Sequence, residues 1–161
     1  MQPVDAPPHA QFSIRPATPA DAAIIAEFNC LLALETEGKQ LDPDTALRGA
    51  RLGLEHEEWC RYFLAQTEDR IIGQAMITFE WSDWRAGAFW WFQSVYVFPE
   101  FRRLGVFRRL FHHIQDLARN SPDACGLRLY VEEHNQRAIE AYARLGLRPG
   151  GYTVYEQDWS K

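Results

Sequence analysis

One stretch, Trp90 to Leu110, limits what this chain can fold into more than any other. Its first part, Trp90 to Phe98, is an aromatic and β-branched run with strand propensity. Pro99 ends that run, because proline has no N–H to give to a ladder. A turn follows with four arginines in eight residues, Arg102, Arg103, Arg108 and Arg109, around Gly105. Beyond it Val106, Phe107, Leu110, Phe111, Ile114, Leu117 and Ala118 recur at helical spacing. The stretch predicts a strand, an arginine-rich turn and a helix N-terminus. A helix start presents unpaired N–H groups and the positive end of a dipole, and phosphate is its commonest guest. Arginines add charge and fork-shaped donors. The competing reading is a solvated helix start whose arginines keep the surface soluble. Neither a Walker loop nor a Gly-x-Gly-x-x-Gly fingerprint occurs.

The chain carries a formal charge of −5, so the arginine cluster runs against its background. That acidic balance argues against a nucleic-acid partner. With 161 residues and 47% hydrophobic content, the expectation is one domain, 12–161, behind a flexible tail, 1–11. The tail has three prolines and no apolar run, unlike a signal peptide. No stretch is long enough to span a bilayer, so no membrane partner is expected. Cys30, Cys60 and Cys125 are an odd set without paired spacing, which predicts reduced thiols and a cytoplasmic protein. The five histidines give no metal set, since His112 and His113 are adjacent on a helix and point to different faces.

Along the chain the predicted order is β-α-α-β-β-β-α-β-α-β. The first strand is Phe12 to Arg15, and Thr18-Pro19-Ala20-Asp21 opens a helix that Gly38 stops. Asp42-Pro43-Asp44 opens a second helix, with Gly53 weakening its end. Strands follow over Arg61–Gln66, Arg70–Glu80 (Gly73 marking a bulge) and Ala88–Phe98, the last two joined by a hairpin loop at Ser82–Gly87. Then come the helix Gly105–Arg119, a strand Gly126–Val131, a helix Gln136–Leu145 stopped by Gly146, and a final strand Tyr152–Trp159.

A second strand-to-helix step starts at Tyr130. Asn135 suits the N-cap of its helix, and Ala138 and Tyr142 share its face. A tyrosine there is either a donor into a cleft, hence a general acid at neutral pH, or a core aromatic with a satisfied hydroxyl.

The two constellations, in this order, resemble the GNAT superfamily of acyl-CoA-dependent N-acetyltransferases. The family's Arg/Gln-x-x-Gly-x-Gly/Ala after Val-x-Pro is matched by Val97-Phe98-Pro99 and Arg102-Arg103-Leu104-Gly105-Val106-Phe107. Its Asn-x-x-Ala-x-x-x-Tyr-x-x-x-Gly-Phe/Leu is matched by Asn135, Ala138, Tyr142, Gly146 and Leu147. Ile14-Arg15-Pro16-Ala17 with Asp21 looks like the family's opening. The resemblance implies an α/β (α+β type) fold: a central mixed, mostly antiparallel sheet with splayed strands. It implies acetyl-CoA as cosubstrate and acetyl transfer by direct attack in a ternary complex. Carried over residue by residue, the backbones of Val95 and Val97 face the pantetheine and thioester. The N–H of Val95 then lies where the oxyanion of the tetrahedral intermediate develops. The N–H groups from Arg103 to Arg108 cradle the pyrophosphate, Asn135 contacts the pantetheine, and Tyr142 protonates the leaving thiolate.

Two positions depart from the family pattern. Phe107 replaces the last small residue of the coenzyme motif. Trp91 stands where the histone-acetyltransferase branch has its glutamate, four residues before Val95, so the proton must leave through water or another carboxylate. Glu80 is the first candidate; Glu35 and Glu37 are the others. The acceptor is expected to be a primary amine of a small molecule or peptide. Glu35, Glu37 and Glu80 would favour a cation, and Gln93 and Ser94 would orient a substrate or a water but are poor bases. Trp81, Trp84, Trp90 and Trp91 form either an aromatic face for it or a dimer contact, or fill core. A non-catalytic acyl-CoA-binding sensor is the alternative function.

Overall fold

The structure, a computed structural model, describes residues 11–159. The expected flexible tail falls mainly on residues 1–10, outside the described ones. The chain divides into two compact units, one ending at Tyr130 and one beginning at Val131.

The first unit is a five-stranded sheet in the order β1-β2-β3-β4-β5. Its strands are β1 (Ser13–Pro16), β2 (Cys60–Gln66), β3 (Ile71–Ser82), β4 (Gly87–Val97) and β5 (Ala124–Leu129). All neighbours are antiparallel except β4 and β5, which are parallel. A parallel pair needs a crossover, and α3 (Val106–Arg119) supplies it. The mixed, mostly antiparallel sheet agrees with the sequence expectation.

Both faces of the sheet are covered because its strands are apolar on both sides. On one face Leu110, Phe111 and Ile114 of α3 are fully buried, and Phe111 stacks on Phe92 with ring centroids 5.1 Å apart. The other face carries α1 (Ala22–Glu37) and α2 (Pro43–Glu55). There Ile25 and Ala26 of α1 and Ala50 of α2 join Tyr62 and Leu64 of β2. Asp42 caps α2 by accepting from Thr45 N at 2.9 Å, and Gly38 closes α1 at φ +65°.

The sequence gives α1 a start at Thr18. Instead Pro19–Asp21 is a single 3₁₀ turn, and Asp21 stands at the N-cap of α1. Its carboxylate is claimed by Arg15 of β1 as well as by Thr18, and a tight turn brings it within reach of both. Gly53 does more than weaken the end of α2. A Cβ there would meet Cys60 Sγ at 2.9 Å and the Tyr62 ring at 3.1 Å, so the missing side chain is what seats α2 on β2. Gly53→Ala should therefore lower stability by about 1–3 kcal/mol, through overpacking, in a urea melt.

The second unit contains α4 (Gln136–Arg144). Asn135 Oδ1 accepts from Ala138 N at 3.1 Å, as an N-cap should, and Gly146 follows the helix at φ +86°. The final strand expected over Tyr152–Trp159 is not formed. Strand propensity there is high, but a strand exists only through a ladder, and residues 152–159 enter none.

Candidate active site

The site grows out of an interruption in β4. Pairing between β3 and β4 runs from Ser82↔Gly87 to Met76↔Gln93, then resumes at Gln74↔Tyr96. Ser94 and Val95 thus oppose the single residue Ala75, which is a β-bulge. Ser94 sits at φ +48°, a left-handed conformation that is uncommon for a residue with a side chain. On the other side of β4, pairing with β5 ends at Phe92↔Leu129. From Gln93 to Val97, β4 therefore has β3 on one side and no strand partner on the other among the described residues. Beyond the bulge Phe98 N donates to Ile72 O at 3.0 Å. Alternation along an antiparallel ladder then turns the N–H and C=O of Val97 away from β3, into the gap.

The gap leads to the arginine turn. Pro99–Phe101 is a 3₁₀ turn, Arg103 has φ +68°, and Gly105 caps α3 at φ +81°. Left-handed residues alternating with ordinary ones turn successive N–H groups inward, a concavity suited to anions. A Cβ on Gly105 would meet Arg108 Nη2 at 3.6 Å, so this guanidinium folds back toward the turn. The N–H groups of Val106, Phe107 and Arg108 belong to the first turn of α3, the part of a helix whose donors its own ladder does not use. Phe107 lies along the helix, its ring 6.1 Å from that of Phe111. Val106 is buried, whereas Leu104 is exposed.

Arg102 does not join that concavity. Its Nε donates to Val97 O at 2.8 Å and its Nη2 to Glu35 Oε2 at 2.5 Å. Tyr96 donates its hydroxyl to the other oxygen of Glu35 at 2.7 Å. These bonds, from Tyr96 first and Arg102 second, hold the Glu35 carboxyl below its usual range. Burial, then Glu35, push the Tyr96 phenol up to about 12. Glu35 thus ties the end of α1 to Tyr96 and to the arginine turn and is unsuited to take a proton near neutral pH.

Strand alternation sorts the remaining side chains by face. Gln74, Met76, Thr78 and Glu80 lie on the α1 and α2 face of β3, and their register partners Gln93 and Trp91 share it. Gln93 Nε2 donates to Thr78 Oγ1 at 2.9 Å. Glu80 Oε1 accepts from Arg128 Nη1 at 2.6 Å, and Arg128 stacks over Phe89 with 3.7 Å to the ring centroid. Trp91 packs on Tyr130, centroids 4.3 Å apart.

The four tryptophans do not build one wall. Trp90 faces the other way, buried against Phe79, because neighbours on a strand point to opposite faces. Trp81 and Trp84 are 64% and 85% exposed at the β3–β4 hairpin. Glu37 is exposed and paired with Lys39. Among the described residues no three His, Cys, Asp or Glu side chains gather as a metal set, and no helix is long and apolar enough to cross a membrane.

In the second unit the Asn135 side-chain oxygen accepts from Ala138 N, so the donors of its amide are not part of the cap. Burial pushes the Tyr142 phenol up, so it is a proton donor at neutral pH.

Sequence reasoning passed over Asn29, Gln74, Tyr96 and Arg128, and read Ser94 only as a group that orients a substrate or a water, not as the residue of a bulge. Only Gln74 carried a signal, a lone amide in the otherwise apolar run Ile71 to Ile77.

The chain is 41% identical to "a possible acetyltransferase from Clostridium difficile 630", over 93% of this chain and 99% of that one, with a TM-score of 0.86. It has the fold of a predicted acetyltransferase from Clostridium acetobutylicum solved with acetyl-CoA (15% identity, 91% and 96% covered, TM-score 0.72). It shares that fold with AAC(6')-Iy in complex with the bisubstrate analogue CoA-S-monomethyl-acetylneamine (16% identity, 93% and 99% covered, TM-score 0.73). No curated protein matches it. The Acetyltransferase (GNAT) family model matches residues 26–147. A strand that leaves its neighbour at a bulge and runs into an arginine-flanked helix start is thus found in a chain that belongs to the GNAT family of acetyltransferases.

Proposed function

We propose that this protein transfers the acetyl group of acetyl-CoA to a primary amine of a small molecule or peptide, by direct attack in a ternary complex. The observation that carries the reading is the open edge of β4 from Gln93 to Val97, which ends at the arginine turn. An extended polar arm fits such an edge as an added strand, and a pyrophosphate fits the helix start. Bound acetyl-CoA supplies an acyl group activated as a thioester.

The chain's own groups do the rest. The N–H groups from Arg103 to Arg108 hold the anionic end, with Arg108 adding charge. Val97 holds the pantetheine, and Asn135, by the family motif it matches, would contact that arm. The Val95 N–H donates to the thioester oxygen as charge collects there. Tyr142 gives its proton to the departing sulfur. The amine forms its bond to the acyl carbon as the carbon–sulfur bond breaks, and its proton leaves through water to Glu80. Glu80 gives one oxygen to Arg128, whereas both oxygens of Glu35 are taken by Tyr96 and Arg102, and Glu80 is therefore the proton acceptor in this proposal. Gln93, Trp91 and the exposed Trp81 and Trp84 shape the acceptor side. Three free cysteines support a cytoplasmic location, and the exposed hairpin tryptophans leave room for a homodimer.

The test has two steps. Acetyl-CoA at about 100 times its Kd should stabilise the protein by about 2.7 kcal/mol, several degrees in a thermal melt. A panel of amines should then release thiol steadily. No thermal shift overturns the coenzyme reading. A shift without turnover on any amine points to an acyl-CoA-binding sensor.

A further inference from the structure

We propose that Gln74, together with Asn29 of α1, is a positioning pair that holds the β4 bulge and thereby aims the Val95 N–H at the thioester oxygen. The inference rests on the coenzyme reading given above.

Gln74 is fully buried, and Asp21 is the one other buried polar or charged side chain among the described residues. Its place in the sheet does not ask for an amide. The same face holds Met76, Leu64 and Tyr62, and an apolar side chain there would avoid desolvating an amide. The cost is visible, since Gln74 Oε1 is buried without a hydrogen-bond partner.

The amide nitrogen explains the choice. It donates to Ser94 O at 3.0 Å and to Asn29 Oδ1 at 2.8 Å. Ser94 is the first residue of the bulge, where regular β3–β4 pairing is interrupted, and it is held at φ +48°. A left-handed non-glycine residue persists only where its surroundings fix it. The donor that fixes Ser94 is Gln74, and the acceptor that orients Gln74 is Asn29. Ser94 O also fixes the assignment of the Gln74 amide, because only the nitrogen can donate to a carbonyl.

The peptide that joins Ser94 to Val95 carries both groups. Its carbonyl is the Ser94 oxygen held by Gln74, and its N–H is that of Val95. A peptide unit is planar, so fixing the oxygen fixes the direction of the N–H on the opposite side. Gln74 therefore touches no reacting atom but sets the angle of the donor that does. Through Asn29 the same bond ties that angle to α1, on whose face of the sheet the acceptor side chains Glu80, Trp91 and Gln93 also lie.

The experiment uses the full chain and acetyl-CoA labelled with ¹³C at the acetyl carbonyl. Difference infrared spectra of the bound cosubstrate report hydrogen bonding to the thioester oxygen without requiring turnover. Wild type should lower the carbonyl stretch relative to free acetyl-CoA. Gln74→Met, which keeps length and removes the donor, should return it toward the free value, while the Kd of CoA itself stays within about threefold. Where turnover is measurable, Gln74→Met should lower kcat by roughly 10–100-fold with KM for acetyl-CoA little changed, a part of the effect of losing an oxyanion donor outright. Gln74→Glu supplies the conservative rescue. Its protonated carboxyl can donate to Ser94 O and its ionised form cannot. The ratio of its kcat to that of wild type should rise as pH falls.

A carbonyl stretch identical in wild type and Gln74→Met overturns the proposal. So does a wild-type kcat in Gln74→Met, with or without a lowered Tm, because the amide is then only a packing element. A displaced stretch in wild type with no turnover on any amine sinks the transfer reading and leaves the positioning role standing. Failure of acetyl-CoA to bind at all overturns both.

Discussion

Tyr142→Phe should lower turnover by about 10²–10⁴-fold, the usual contribution of a positioned general acid. The substitution keeps the ring and removes one oxygen. Burial already holds the phenol above its ordinary value, so wild type carries the proton throughout the neutral range. The sign of the pH dependence follows. A proton donor is lost as pH rises through its own pKa, so the Tyr142 contribution is complete at neutral pH and falls only on the alkaline side of the ordinary tyrosine value. In Tyr142→Phe that alkaline limb should vanish from the kcat profile, while the Kd of CoA and the Tm stay near wild type. Steady-state thiol release from acetyl-CoA across pH 6 to about 10.5 checks both points. A variant that keeps the wild-type rate removes Tyr142 from the mechanism.

The largest stability effect should come from Asp21. Its two oxygens accept from Arg15 Nη1 and Nη2 at 2.8 Å each, and Oδ2 also accepts from Thr18 N at 2.7 Å. Arg15 Nε is held in turn by Gln66 Oε1 at 2.6 Å. Asp21 is 7% exposed, and these bonds join β1 to the first turn of α1. Asp21→Ala leaves a guanidinium and a backbone N–H without their acceptor. A fully buried ion pair broken this way costs roughly 3–5 kcal/mol, and Arg15 keeps some access to water, so about 2–3 kcal/mol is expected. In a thermal melt that is roughly 5–10 °C for a chain of this size.

The same carboxyl sets an acid limit. Arg15 beside it, helped by Thr18, lowers Asp21 from 3.8 to about 2. A group depressed by folding stabilises above its unfolded value and loses that contribution as pH falls through its folded one. Asp21 should therefore contribute fully above about pH 4 and progressively less down to pH 2, a loss of about 2 kcal/mol. Urea midpoints measured across that window should show the decline in wild type and a shallower one in Asp21→Asn. Equal slopes would mean that Asp21 is not the group responsible.

The features legible in the chain before folding are mostly local. Pro99, Gly105 and the apolar period after Val106 specify a strand, a turn and a helix from contacts within a few residues, and all three occur. Asp42 and Asn135 cap their helices through bonds that span three residues. The paired motifs were also legible, since backbone N–H groups at a helix start bind anions whatever side chains surround them. That is why the family could be read before any contact was known.

The tertiary structure decided whatever depends on partners distant in sequence. Arg102 reads as a phosphate ligand, yet it bonds Glu35, 67 residues away. Glu35 reads as a base or substrate carboxylate, and its two oxygens accept from Tyr96 and Arg102, 61 and 67 residues away. The final strand, Tyr152–Trp159, has the right composition but enters no ladder, because strand propensity is realised only in pairing. The tryptophan cluster dissolves because Trp90 and Trp91 take opposite faces. The bulge at Ser94 and Val95 is the sharpest case. Nothing within the strand marks it, since Ser94 has neither glycine's freedom nor a turn signal. It arises from the register of β3 against β4 and from a buried glutamine on the neighbouring strand, and a two-for-one mismatch between strands belongs to no single segment of sequence.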